Sequence, residues 1–319
     1  MVYPVVILYQ ASSATRRYIW NLETLKYPGL CFQHLKAMAA AGEVTVASHK
    51  RKAETAFGRK GYNRAVISDT LEKCSRLFGH PRRSHACVLQ GAQERYTDVD
   101  PAATPVRPRV RNGDCVALAK ELSKQPGAKV WLLNMASATT PGGGARSGSN
   151  AQEEHLCRCS NLMPQLEKAA GKQLYPLSKV QDVGTDFTVL LHGEVVFFKR
   201  PCDYADLPEE ERFCTGVLTA AAEKVSGTGH HIGPNAQRYI DFLLDVVHMQ
   251  GEKCSHIILS AWGCGAFGQN AYAVASCFKQ GLARFDAQTF PTVTFAIIDD
   301  HNSPPPGNLH AFRTVLAEA

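Results

Sequence analysis

Twice in this chain a short run of β-forming apolar residues ends in a glycine-rich turn, and helical periodicity follows at once. The first run is residues 128–135 (AKVWLLNM), followed by Pro141-Gly142-Gly143-Gly144 and then a helical pattern through Leu156, Leu162 and Leu166. The second is residues 255–260 (SHIILS), followed by Trp262-Gly263-Cys264-Gly265-Ala266-Phe267-Gly268 and a helix predicted over 272–285. Strand–turn–helix units of this kind build α/β domains, which place ligands beyond the carboxyl ends of their strands.

The rest of the chain agrees with that class. Residues 114–123 carry Val116, Leu118, Ala119 and Leu122 at helical spacing, and 235–249 reads as a further helix. Residues 187–199 are rich in β-formers, with a turn expected at His192-Gly193-Glu194. A last strand is expected over 292–298. The order argues for a largely parallel or mixed central sheet. Pro101, Pro105 and Pro108 mark a boundary near residue 105. Residues 1–105 are therefore expected to form a mainly helical extension, with apolar stripes at 33–41 and 65–78, and residues 106–319 the α/β domain. No internal repeat or low-complexity tract is present.

Composition narrows the class further. Apolar residues at 45% and charged residues at 20% suit a globular protein. The formal charge of +6 is compatible with an anionic ligand and does not by itself call for nucleic acid. Lys50-Arg51-Lys52 and Arg59-Lys60 are expected on a solvated face. The apolar start, Met1 to Tyr9, lacks a basic lead, and no run reaches the ~18 apolar residues of a membrane span. Eleven cysteines without framework spacing favour reduced thiols in an intracellular compartment, cytoplasmic or nuclear. Cys157 and Cys159, one residue apart with no second pair, do not make a zinc site, and no metal or cofactor is expected.

The glycine turns carry the chemistry. Each presents backbone N–H groups and a helix start to an anion. Neither is a Walker A loop or a dinucleotide fingerprint, for the required residues do not follow. Two such turns at strand ends suit a diphosphate. Just past the first come Gln152, Glu153 and Glu154. Adjacent helical side chains diverge by about 100°, so the two glutamates cannot flank one bond as a glycosidase pair does. One is expected to move protons and the other to bind sugar hydroxyls. Like charge between them raises at least one pKa, and the helix start opposes this. A charged first helical turn with no catalytic role is the plainer alternative.

Gly142-Gly143-Gly144, seven residues, then Gln152-Glu153-Glu154 resembles the signature of the poly(ADP-ribose) glycohydrolase group of macrodomains, most closely its compact bacterial-type branch. The flanks resemble it too, in Leu133-Asn134-Met135-Ala136, in Leu156 to Leu162, and in the 261–268 loop. The resemblance covers about residues 110 to 315. It implies a three-layer α/β/α macrodomain with a mixed central sheet, acting on poly(ADP-ribose) or ADP-ribose carried by modified proteins. Direct nucleic-acid binding is not required, and a monomer is expected. By the same resemblance, Glu154 is the acid/base, and Glu153 and Asn134 contact the distal ribose. Gly142, Gly143 and Gly144 wrap the diphosphate together with Gly263, Cys264, Gly265 and Ala266. Phe267 packs on the distal ribose, Asp114 holds the adenine amino group, and Gln152 belongs to the ADP-ribose-binding set.

Two other functions stay open at this level. One is hydrolysis of mono-ADP-ribose from a protein side chain or nucleic-acid base; the other is a reader that binds ADP-ribose without cleaving it. The presence of both glutamates and the glutamine weighs against the reader. His230-His231 are expected in a solvated loop, and Asp299-Asp300-His301 in a structural or solvated role. Cys264 offers its backbone rather than its thiol.

Overall fold

Successive residues of the central strands are buried on opposite faces, and this sets the layers. Trp131 and Leu133 pack with Ile257, Leu259, Val293, Phe295 and Ile297 in one core; Val130 and Leu132 pack with Ile258, Ala296 and Val217 in another. A sheet that is apolar on both faces needs helices over both. The computed structural model supplies them, describing residues 5–11, 14–20, 46–79, 85–89, 104–180, 185–226 and 230–317.

The strands are β1 (Val5–Ala11), β2 (Ala14–Trp20), β3 (His85–Leu89), β4 (Arg109–Asn112), β5 (Val130–Met135), β6 (Ser178–Val180), β7 (Thr185–Phe197), β8 (Phe213–Ala220), β9 (His256–Leu259) and β10 (Thr292–Ile297). The α-helices are α1 (Val46–Phe78), α2 (Cys115–Leu122), α3 (Gln152–Cys159), α4 (Leu162–Gly171), α5 (Ala236–His248), α6 (Ala271–Leu282) and α7 (Asn308–Ala317). The main sheet runs β3-β7-β8-β5-β9-β10-β4, with β6 on β7. Strands β8, β5, β9, β10 and β4 are mutually parallel, while β7 runs antiparallel to β8, β3 and β6. Helices α5, α6 and α7 cover one face; α2, α3, α4 and the second half of α1 cover the other. This is the expected three-layer α/β/α arrangement with a mixed sheet.

Two local expectations are corrected. His192-Gly193-Glu194 is no turn: β7 continues through it, with one extra residue bulged between the pairs His192–Val217 and Val195–Thr215. A bulge absorbs the glycine while β8 keeps its partner. The helix starting at Gln152 also stops short of Leu162. Ser160 is extended (φ −145°, ψ 179°) and bridges to Phe197, and Asn161 exchanges hydrogen bonds with Val196. Pro164 has no N–H to give Ser160, so the helix restarts as α4.

Two elements before residue 105, α1 and β3, enter the same body. Strand β3 pairs with β7, while β1 and β2 form an antiparallel hairpin. Helix α1 breaks its helical geometry at Gly58 (φ 66°, ψ 155°), and beyond it Tyr62, Val66 and Ile67 are buried against α3 and α4. The expected 65–78 helix is the end of α1; the 33–41 stripe lies outside the described residues. Charges lock α1 in place. Lys199, fully buried at the end of β7, reaches Asp69 at 2.6 Å and Asp206 at 2.8 Å, and Lys73 binds the same two carboxylates at 2.7 and 2.8 Å. Burial pulls Asp69 upward, but Lys199 and then Lys73 outweigh it and hold its pKa below the usual value.

Candidate active site

The carboxyl end of β5 starts the site. Asn134, fully buried, donates to Thr219 Oγ1 of β8 at 3.2 Å and to Glu153 Oε1 at 3.4 Å. The chain then turns through the glycines and returns as α3. Gly142 and Gly143 have φ of 71° and 54°, the left-handed region that glycine enters without strain. A Cβ on Gly143 would stand 2.6 Å from Glu154 Oε1 and 2.9 Å from Glu153 Oε2. The glycine is therefore required by close approach as well as by φ: both carboxylates converge on its bare Cα.

Backbone donors hold those carboxylates. Glu153 accepts from Ser137 N at 2.7 Å and Gly142 N at 3.2 Å, in addition to Asn134. Glu154 accepts from Gly144 N at 2.8 Å and from Ala151 N at 3.0 Å, closing the first turn of α3. Glu153 is 2% exposed and Glu154 7%. Burial, opposed by the Ser137 amide and reinforced by the charge of Glu154, pushes Glu153 up to about 8. At neutral pH the pair therefore retains a proton. The divergence expected of adjacent residues does not separate them, because the glycine loop gathers both carboxylates from one side.

The amides of the first loop are thus engaged within the protein, Gly143 N on Thr140 O and its neighbours on the glutamates. They do not stand open to a diphosphate, as the resemblance implies; instead they orient the acid groups. Gln152 likewise turns inward. Its Oε1 accepts from Met135 N at 2.9 Å and its Nε2 donates to Leu133 O at 2.7 Å, so its side chain is a strut between α3 and β5. Asp114 caps α2, accepting from Val116 N and Ala117 N at 2.9 Å, and pairs with His155 Nε2 at 3.0 Å. It also lines a hollow of about 120 Å³ with Asn112, Gly113 and Ala296. Burial would raise its pKa, but the His155 hydrogen bond and charge win and lower it.

The second loop, between β9 and α6, is different. Its own bonds run from Cys264 N to Ala261 O, Gly268 N to Gly265 O and Gln269 N to Gly263 O. Among the described residues the amides of Gly263, Gly265, Ala266 and Phe267 donate to no protein acceptor, and these four residues are at least partly exposed. Unspent N–H groups beside a helix start are what an anion needs. Cys264 is itself buried, with its thiol pKa pushed up and its N–H bonded to Ala261 O, so it does not share in the open amides. Phe267 is half-buried against the adjacent core. Among the described residues no His/Cys/Asp/Glu group could hold a metal ion, and no helix is long and apolar enough to cross a membrane.

Reading from sequence missed three participants. Ser137 acts through its backbone N–H in the loop that follows β5, and Thr219 through its hydroxyl on β8, which no local pattern signals. His155, next to Glu154, bridges Asp114 to Tyr204 OH at 2.9 Å. Burial favours its neutral ring, but the Cys159 sulfur, Asp114 and Tyr204 outweigh it and hold its pKa well above the imidazole range. Its position one residue after the glutamate pair was the available signal.

A buried carboxylate pair at one strand end and an open amide cradle at the next, on an α/β/α sheet, define a macrodomain-type hydrolase. The family model "Microbial-type PARG, catalytic domain" matches residues 38–200, half of the chain, and the chain belongs to that family of poly(ADP-ribose) glycohydrolase-type glycosidases. The match begins well upstream of residue 110, where the resemblance in sequence starts, and so takes in α1. No curated protein matches. Among solved structures the chain is similar to poly(ADP-ribose) glycohydrolase from Thermomonospora curvata, with 23% identity and a TM-score of 0.55, covering 79% of this chain and 98% of that one. The same enzyme bound to the inhibitor ADP-HPD gives 24% and 0.55 over the same shares. A point mutant of the Deinococcus radiodurans enzyme, in complex with ADP-ribose, gives 26% and 0.50, covering 79% of this chain and 91% of that one.

Proposed function

We propose that this enzyme hydrolyses the ribose–ribose O-glycosidic bonds of poly(ADP-ribose) and releases ADP-ribose, with Glu154 as acid/base. The observation that carries the reading is the convergence of Glu153 and Glu154 on Gly143, with a proton retained by the pair at neutral pH. The relative from Deinococcus radiodurans, solved in complex with ADP-ribose, supports the ligand class.

Glu154 gives its proton to the departing 2′-oxygen of the next unit as the bond from C1″ breaks and an oxocarbenium-like centre develops. The carboxylate then takes a proton from water as the water oxygen bonds C1″, which restores the acid and consumes one water. Glu153 binds a hydroxyl of the distal ribose and shares with Glu154 the single proton that the pair retains below about pH 8, and Asn134 steadies it. The amides of Gly263, Gly265, Ala266 and Phe267 take the diphosphate, whose charge offsets the developing cation. No step calls for a cofactor. The glutamates are held by rigid backbone donors, so positioning carries much of the rate.

Residues 1–105 serve as an extension and 106–319 as the catalytic domain, with the extension bracing the site through α1. The enzyme acts as a monomer on modified proteins in the cytoplasm or nucleus. Nine free cysteines among the described residues are consistent with a reducing compartment. The test is incubation of the purified protein with poly(ADP-ribose), mono-ADP-ribosylated protein and ADP-ribosylated DNA. Release of ADP-ribose from the polymer is expected. Release only from the mono-modified substrates would give the linkage to the alternative hydrolase, and tight ADP-ribose binding without release would make the protein a reader.

A further inference from the structure

The substrate of the proposed reaction is a polyanion with two phosphates in every unit, yet among the described residues no lysine or arginine bonds either glutamate. The three glycine amides of the first loop are spent within the protein, and the second loop serves the terminal unit. The unit left behind the scissile bond must meet its counter-charge elsewhere. Glu154 is bonded to Gly144, where the 3-10 turn Ala145–Ser147 begins, and that turn runs beneath α1. A Cβ on Gly148 would strike the Lys60 backbone, and Asn63 Nδ2 donates to Gly148 O at 3.0 Å. Helix α1 is therefore fastened to the very turn that orients Glu154.

On this part of α1, residues 59–68 hold three cations, Arg59, Lys60 and Arg64, and no carboxylate. All three are exposed, and none makes an ion pair among the described residues. Lys60 and Arg64 are one helical turn apart, on the same flank. Below them Asn63, Val66, Ile67 and Thr70 are buried, and the Lys199–Asp69–Lys73–Asp206 network clamps the next turns. The cations therefore stand on a fixed platform. Nearby Arg146, by contrast, is already paired with Glu167 at 2.6 Å.

We propose that Arg59, Lys60 and Arg64 form a second anion subsite, which takes the diphosphate of the ADP-ribose unit next to the one being released. This rests on the polymer-hydrolase reading. A polymer that leaves Glu154 along the 144–148 turn comes to α1, which carries these unpaired cations, past Arg146, which Glu167 already holds. Exposed charges facing phosphate steer and hold a polyanion without touching the terminal unit. Chain length, rather than the terminal ADP-ribose alone, then contributes to affinity.

The test is the triple variant R59Q/K60Q/R64Q, compared with wild type and with a control in which Lys172, Lys253 and Arg313, all exposed and outside α1, become Gln. Three quantities are measured: KM and kcat on long poly(ADP-ribose), affinity for free ADP-ribose, and polymer binding by anisotropy at several salt concentrations. KM and Kd for polymer are expected to rise about two- to five-fold per charge at low salt. The salt slope of polymer binding flattens by about 0.7 for each phosphate that the variant leaves unneutralised. ADP-ribose affinity and kcat stay within two-fold, and the control behaves as wild type. Unchanged polymer binding, an equal fall in ADP-ribose affinity, or the same weakening in the control would overturn the subsite. Failure of the wild type to release ADP-ribose would instead refute the hydrolase reading, while anisotropy still reads the subsite. Should the triple variant melt early, R64Q alone gives the same comparison.

Discussion

Glu153→Gln removes a carboxyl in the site whose protonation is strongly displaced. A carboxyl moved from 4.5 to about 8 costs about 5 kcal/mol when forced to ionise in the folded protein. The sign follows from linkage. The folded pKa lies above the unfolded one, so the wild type has the full stability below about pH 4.5 and loses it as pH rises toward 8. Between pH 5 and 9 the loss from this group alone is about 4 kcal/mol. Glutamine cannot ionise and escapes it. It costs about 1–2 kcal/mol at every pH, because its NH₂ must face either the Ser137 amide or the donors of Gly142 and Asn134. The variant should therefore be less stable than wild type at pH 5 and more stable at pH 9. Urea unfolding at five pH values reads the difference directly. Parallel wild-type and variant profiles, with a gap constant within about 1 kcal/mol, would refute the buried acid form.

The other expectations concern positioning. Gly143→Ala places a methyl against both carboxylates at φ 54°, and ADP-ribose release should fall at least about 100-fold with the fold retained by circular dichroism. Lys199→Met strips Asp69 and Asp206 of a fully buried partner and should cost about 3–5 kcal/mol in urea unfolding, with amide exchange rising first in α1. Gly263→Ala, strained at φ 80° and crowding Ala222 at 2.9 Å, should weaken ADP-ribose about ten-fold by calorimetry while leaving the pH profile of Glu153 unchanged.

What the sequence disclosed was local. Apolar run, glycine turn and helical stripe are near neighbours along the chain, so β5, β9 and α6 could be read within a few residues of their ends, and α3 at its start. The Gly-Gly-Gly and Gln-Glu-Glu runs were legible for the same reason. The direction of each donor was not. Gln152 looks like a ligand-binding amide until Met135 N and Leu133 O are found on it, and the glycine amides look free until the glutamates fold back over them. The clamp on α1 joins residues about 130 positions apart, Asp69 and Lys199, which no periodicity reveals. The bulge at His192 and the break at Ser160 likewise depend on partner strands, since glycine and serine suit a turn and a helix end equally well in isolation.

The central claim is that Glu154 moves the proton. Turnover of poly(ADP-ribose) by Glu154→Gln, measured as ADP-ribose released beside ADP-ribose affinity, tests it most directly. The predicted result is a kcat lower by about 10²–10⁴ with affinity within a few-fold of wild type. A variant that still releases ADP-ribose at a rate within ten-fold of wild type would contradict the assignment.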